Sequence, residues 1–325
     1  MQNITEAQTQ SRYLDIQRRV VAHKTVESWV STPHATLDLE LDVTDLIRRV
    51  EGLKRSGAFA GVRLTLNSVL LKLIAEGLKQ SPEMNAHVQY DRRSDVGHLT
   101  LFDAINIAVP LRGPDGRTIT PVVTDVGRKS LRDVCLAMDA LKAKAANTNI
   151  DLLLLDAGLQ NSFARLKRGH IGVLRRMYAN LLGKGRLPRV PGAERARYRR
   201  TPEHERITPA NLLSATVLVS NVGSVLRGPN LAVGLLEIIQ PQTTAIGLGP
   251  VVRKPVAVEE ETGPEHIAIR SVLPVTICFD HRAMDLEHVK GFITEVDTRC
   301  RAPWTLLNGP ASVKDNAALP APCPG

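Results

Sequence analysis

Phe279-Asp-His-Arg-Ala-Met-Asp285 is the stretch on which the reading of this chain turns. The apolar run Pro274 to Phe279 leads into it and reads as a strand. Leu286 to Arg301 follows as a helix, with Val289, Phe292, Ile293 and Val296 recurring on one side. His281 therefore stands where a sheet ends, a place where a rigid frame can hold an imidazole against a cleft. Asp285, in the first turn of the helix, can cap it or bind a nearby cation. Histidine changes charge near neutral pH, which suits it to moving a proton. Spacing alone leaves two readings open, because a histidine four residues before an aspartate recurs by chance: a general base, or a surface or capping residue.

A second signal lies upstream in Val219-Ser-Asn-Val-Gly223. A hydroxyl at a strand end beside a glycine turn can donate into a cleft and stabilise an oxyanion. Ser220 can equally cap its own turn. Around these two signals the chain reads as mixed helix and strand. Helices are expected over Ser11 to Trp29, Leu46 to Ser56 (with Thr44 and Asp45 as caps), Leu64 to Lys79, and Ser130 to Ala146. Strands are expected over Ala35 to Val43, Ile105 to Leu111, Thr118 to Thr124, Ser214 to Val222, Thr243 to Leu248, Ile267 to Arg270 and Pro274 to Phe279. Gly113-Pro-Asp-Gly116 joins two of them as a hairpin turn, since proline presets one dihedral and glycine accepts the left-handed one. There is no regular strand–helix alternation, no glycine-rich phosphate loop and no internal repeat. The expected fold class is α+β, a mixed sheet with helices on one face.

The 325 residues suffice for a large single domain, and 43% hydrophobic with 23% charged residues is a globular balance. Four cysteines without a CxxC pair argue against a metal site or a disulfide framework and favour a reducing, cytoplasmic setting. The net charge of +9 is concentrated in one block. Between Arg165 and Arg206 stand thirteen basic residues against three acidic ones, so the remainder is near neutral. Aromatic residues, at 3%, do not interleave with the block, which speaks against nucleic acid.

From about Gln17 to Leu307 the chain resembles the catalytic core of the dihydrolipoyl acyltransferases of 2-oxoacid dehydrogenase complexes. The resemblance is carried in order by Arg18-Arg-Val-Val-Ala22, Thr32-Pro-His34, Ser81-Pro-Glu-Met-Asn-Ala86, Ile105-Asn-Ile-Ala-Val109, Thr120-Pro-Val-Val123 and Lys129-Ser-Leu131. It continues through Ser220-Asn-Val-Gly223, Pro241-Gln-Thr-Thr-Ala-Ile-Gly247, Asp280-His-Arg282 and Pro303-Trp-Thr-Leu-Leu307. It implies a chloramphenicol acetyltransferase-like two-layer fold and transfer of an acyl group between coenzyme A, or acyl-CoA, and a thiol. In that family the histidine, here His281, is the general base and the serine, here Ser220, bonds the oxyanion. The aspartate, here Asp285, fixes the histidine loop through a buried ion pair, for which Arg18 or Arg19 is a candidate partner. Asp280, Arg282 and Asn221 support the site. No metal is needed, and the family's cores are trimers in which the histidine and serine of one site come from neighbouring chains.

Three departures qualify the resemblance. Leu286 stands where the family has glycine after the aspartate, and Ser214-Ala215 replaces a glycine pair. No lipoyl or subunit-binding module is expected ahead of the match. The expectation is a lipoyl group used only in trans, direct transfer to a small-molecule acceptor, or a catalytically inactive trimeric scaffold. The basic segment 155–206 reads as an insertion, with an amphipathic helix from Phe163 to Leu182 and a basic loop from Gly183 to Arg206. Its apolar stripe can simply pack on the domain with the arginines as a solvated face, or the segment can serve a lipoyl-bearing or acidic carrier protein, the phosphates of coenzyme A, or an anionic membrane surface through 163–206. Residues 1–12 and 308–325 are expected to be a flexible N-terminus and a disordered tail around a core domain over 13–307.

Overall fold

The computed structural model describes residues 13–167, 190–226, 231–258 and 264–307. The expected flexible ends, 1–12 and 308–325, and most of the helix expected from Phe163 to Leu182 lie outside these residues.

One mixed sheet organises the chain. Its strands are β1 (His34–Asp42), β4 (Ile107–Ala108), β7 (Val122–Val123), β8 (Val217–Asn221), β9 (Thr244–Leu248), β10 (Val252–Val258) and β11 (His266–Asp280). They are ordered β1-β11-β9-β8-β4-β7, with β10 on the first half of β11. β8 runs parallel to both β9 and β4, and the other pairings are antiparallel. Two small hairpins stand apart: β2 (Ala86–Asp91) with β3 (Val96–Leu101), and β5 (Leu111–Arg112) with β6 (Thr118–Ile119).

The helices α2 (Thr44–Arg55), α3 (Leu66–Lys79) and α4 (Leu131–Ala146), with α7 (Leu286–Arg301) near the C-terminus, cover one face. Each strand sends alternate residues to that face. Leu41, Val217, Val219, Ile246, Leu248, Val275, Ile277 and Phe279 join Leu71, Leu73, Leu78, Phe292 and Val296 in one core. Gly77 lets α3 and α7 meet, because a Cβ there would lie 2.7 Å from the Phe292 ring. The second face of the sheet is covered by the extended segment 231–240. Val233 seats over Gly247, where a Cβ would come within 2.8 Å of it, and Leu236 and Ile238 pack with Ala245 and Cys278.

Helix α1 (Ile16–Ser31) starts at Ile16 rather than at the expected Ser11, because Asp15 accepts the Arg18 N–H and fixes the first turn there, and it ends at Ser31, two residues past Trp29. It packs against α5 (Ile150–Lys167). Ser130 caps α4 through a full capping box with Asp133. Thr44 and Asp45, expected as caps, are instead the first residues of α2, and Asp42 accepts the Thr44 N–H.

Three other expectations are corrected. The segments Ile267 to Arg270 and Pro274 to Phe279 are one fifteen-residue strand, β11, which runs through Pro274. On the side to which the Pro274 carbonyl points, accepting the Gly249 N–H, β10 has ended at Val272 and β9 begins at Val275. The missing N–H thus faces a gap, and no ladder bond is lost. Ile105 to Leu111 and Thr118 to Thr124 do form a hairpin about Gly113–Gly116, but Pro110 and Pro121 cut each into two short strands. Within the expected basic loop, Gly192–Arg200 is a helix, α6. Its alanine, glutamate and arginine content favours helix over the loop that charge and prolines suggest. Tyr198 anchors it on Leu152 and Val190, with its hydroxyl on Asp156 and under Arg206.

Candidate active site

His281 directly follows β11, and its backbone N–H donates to the Pro33 carbonyl at 3.0 Å. The ring is exposed in the single chain and stands edge-on to Phe279, with centroids 6.0 Å apart. Its turn is held from below by Asp280, whose side chain is fully buried. Arg282 clamps that carboxylate with Nε at 3.0 and 3.2 Å and Nη2 at 2.5 Å, and adds its own backbone N–H at 3.0 Å. The Asp280 N–H in turn donates to the Thr243 carbonyl. A buried carboxylate needs such pairing, and a forked guanidinium supplies it in two parallel bonds.

The buried ion pair of this loop is therefore Asp280–Arg282, not Asp285–Arg18. Asp285 is 60% exposed and caps α7, accepting the Glu287 N–H at 3.1 Å and pairing with His288 at 2.7 Å. The His288 bond is the main reason that the Asp285 carboxyl lies below its ordinary range. Arg18 is exposed on the first turn of α1, where its backbone N–H meets Asp15. Leu286 is the first residue of α7, 59% exposed, with helical backbone, so the position does not require glycine.

Ser220 is half-buried at the far end of β8, and among the described residues its hydroxyl makes no hydrogen bond. It lies on the second face of the sheet, while Asn221 turns toward the helices and donates to Asn67 Oδ1 at 2.9 Å. Asn221 also caps the turn that follows by accepting the Ser224 N–H. Gly223 permits that turn to press on the Gly249–Pro250 backbone, since a Cβ would sit 2.6 Å from the Gly249 carbonyl.

The sheet register sets the relation between the two candidates. Ser220 is level with Gly247 on β9, and Gly247 is level with Thr276 on β11. His281 is five residues beyond Thr276, about 16 Å further along at ~3.3 Å per residue, and two strand spacings of ~4.8 Å to the side. In one chain the imidazole and the hydroxyl are at opposite ends of the sheet, roughly 19 Å apart, and no rotamer joins them. The structure does gather Asp280, His281 and Arg282 in one turn. The elements that sequence reading missed there are the Pro33 and Thr243 carbonyls, which receive consecutive amides of that turn. Backbone acceptors carry no residue-type signal.

Among the described residues no group of three histidine, cysteine or acidic side chains could hold a metal. No described helix is long and apolar enough to cross a membrane. The three described cysteines are buried and unpaired with one another, and burial pushes the Cys300 thiol up to about 12.

The family profile of the catalytic domain of 2-oxoacid dehydrogenase acyltransferases matches residues 6–153 and 193–308. The chain belongs to that family. The unmatched stretch, 154–192, overlaps the basic segment 155–206 read as an insertion, whose last residues, 193–206, lie inside the match. The acetyltransferase component of the pyruvate dehydrogenase complex of Mycobacterium tuberculosis is 24% identical over 287 residues, covering 87% of this chain and 39% of that protein. The chain thus spans less than half the length of this curated relative. Among solved structures, the cubic core of a pyruvate dehydrogenase multienzyme complex is 19% identical with a TM-score of 0.62, covering 95% of this chain and 98% of that one. The dihydrolipoamide acetyltransferase of Azotobacter vinelandii, solved in a study of a serine, a histidine and an asparagine in its catalytic mechanism, is 17% identical with the same TM-score, covering 95% and 99%. These likenesses establish the expected α+β fold of an acyltransferase core.

Proposed function

We propose that the protein moves an acyl group between coenzyme A and a thiol, a dihydrolipoyl group in trans or a small-molecule acceptor, at sites shared by neighbouring chains of a trimer. His281 takes the proton of the attacking thiol. The sulfur adds to the thioester carbonyl, and Ser220 of the adjoining chain donates to the oxyanion so formed. Collapse of the intermediate breaks the old carbon–sulfur bond, and the departing thiolate recovers the proton from His281. General-base catalysis of this kind contributes about 10²–10⁴ and an oxyanion donor about 10²–10³.

The observation that carries the reading is the register. A histidine and a serine held ~19 Å apart in one sheet can share a site only if two copies meet. The exposed apolar residues Val26, Trp29 and Val30, at the end of α1 that leads to Pro33, suit burial in such a contact. The Azotobacter study concerned an asparagine four residues after its histidine, the spacing of Asp285 after His281 here. In this chain Asp285 supports the loop as a helix cap. The scaffold reading loses one of its two motives, because Leu286 fits its helical position.

Helix α6 fits an acidic carrier better than a membrane. In α6, Arg195, Arg197, Arg199 and Arg200 are exposed, and Tyr198 is the one buried side chain. A helix that lies in a membrane surface needs an apolar face, which α6 lacks.

The test is thiol release from acetyl-CoA with free dihydrolipoamide as acceptor. Wild type should turn over, His281→Ala should lose at least about a hundred-fold and Ser220→Ala at least about ten-fold. Equal rates in wild type and His281→Ala would overturn the proposal.

A further inference from the structure

His34 opens β1 opposite Asp280, and β1 alternates so that Leu37, Leu39 and Leu41 enter the main core while His34 faces the segment 231–240. Its two ring nitrogens have different partners. Nδ1 lies 2.9 Å from the Thr32 carbonyl, and Nε2 lies 3.1 Å from the backbone nitrogen of Ile238. A carbonyl can only accept and an amide can only donate, so the hydrogen sits on Nδ1 and Nε2 presents its lone pair. Ser28, fully buried in the last turns of α1, sends its hydroxyl to the Ile238 carbonyl at 2.9 Å and lies 3.2 Å from Nε2. The Trp29 ring packs on the imidazole, centroids 5.5 Å apart. One side chain thus ties the α1–β1 link to the segment that crosses the second face.

Those two tied pieces also support the His281 turn. Pro33, between Thr32 and His34, accepts the His281 N–H, and Thr243, five residues beyond Ile238, accepts the Asp280 N–H. Ile238 is fully buried, so its amide has no water to replace a lost acceptor. From this convergence we infer that His34 is a positioning residue for the reaction: its neutral, Nδ1-protonated ring sets the two carbonyls against each other and thereby fixes the aim of His281. A displacement of about 1 Å at a reacting group can cost on the order of a hundred-fold in rate. The inference rests on the role proposed above for His281.

Three substitutions separate the bonds. Glutamine reaches the Nε2 position and can accept the Ile238 amide, asparagine reaches only the Nδ1 position, and alanine reaches neither. In the acetyl-CoA assay His34→Ala and His34→Asn should lose about ten-fold or more in kcat with KM within about two-fold, and His34→Gln should recover most of that loss. A uniform effect on binding would move KM instead. Hydrogen exchange read at the Ile238 and His281 amides should quicken in the alanine and asparagine variants and return toward wild type with glutamine. A wild-type nitrogen-15 spectrum should show His34 protonated on Nδ1 with Nε2 bare. The inference fails if the Nε2 tautomer is found, or if His34→Ala keeps kcat and the His281 amide protection while His281→Ala is dead. If His281→Ala is as active as wild type, the fault lies in the proposed function, and the exchange and tautomer results still judge the tie itself. Should the alanine variant not fold, the glutamine–asparagine difference and the tautomer decide.

Discussion

Replacing Arg282 with methionine removes the one cation that, among the described residues, meets the Asp280 carboxylate, which has no exposure of its own. Three side-chain contacts of 2.5 to 3.2 Å disappear, and one backbone N–H at 3.0 Å remains. Breaking a buried pair from one side strands a charge in a poor solvent, at a cost of about 3–5 kcal/mol. For a chain of 325 residues each kcal/mol lowers Tm by about 1.5 °C, so a drop of about 4–7 °C is expected at fixed chain concentration. Asp280→Asn should cost less, because Arg282 keeps 20% exposure and can turn to water. The double variant should then be better than the sum of the singles by about 2–3 kcal/mol. Thermal and urea unfolding of all four proteins measure this cycle. An Arg282→Met protein within about 1 kcal/mol of wild type, or singles that simply add, would refute the account of this turn.

Glu76 is 13% exposed among Lys72, Lys79 and Arg299. Burial alone would raise its carboxyl, but the Lys72 and Lys79 bonds outweigh that and hold it below 4.5, its ordinary value. Its contribution is complete above the ordinary value and is lost as pH falls through the lower folded one. Glu76→Gln should therefore lose about 2 kcal/mol at pH 7, with the gap closing below about pH 4 in urea titrations. A gap of the same size at pH 3 and pH 7 would contradict this. Asp285→Ala should shift the urea midpoint only slightly, as loss of an exposed helix cap does, and a loss as large as that of Arg282→Met would restore the buried pair in its place. Trp29→Glu with Val30→Glu should leave a folded chain that sediments as a monomer and has lost turnover. An unchanged assembly would remove α1 from the contact between copies.

Much of the frame was legible because its signals are local. Ser130 with Asp133, the Gly113–Gly116 turn and the apolar period of α3 each specify their own geometry. The misreadings share another cause, which is dependence on distant partners. Pro274 looks like a strand breaker until its missing N–H is seen to face the gap between β10 and β9. Ala86–Leu101 hides a hairpin, because its turn places Asp95 at φ 54 without a glycine there. Leu231 to Gln240 is apolar without period, and only the sheet face beneath it explains its extended course. At the site, residue type pointed to His281 and Ser220, but not to the Asp280–Arg282 clamp or to the tie made by His34. Those depend on which carbonyls and amides the fold brings within 3 Å.

The central claim is that each site joins the imidazole of one copy to the hydroxyl of the next. Co-expressing His281→Ala with Ser220→Ala, differently tagged and purified through both tags, examines it directly. Every trimer that carries both variants has one junction of three with both groups intact, so the doubly purified assemblies should recover roughly a third of wild-type turnover, while each variant alone stays far below it. Mixed assemblies no more active than the average of the two single variants would show that the two residues do not meet across chains.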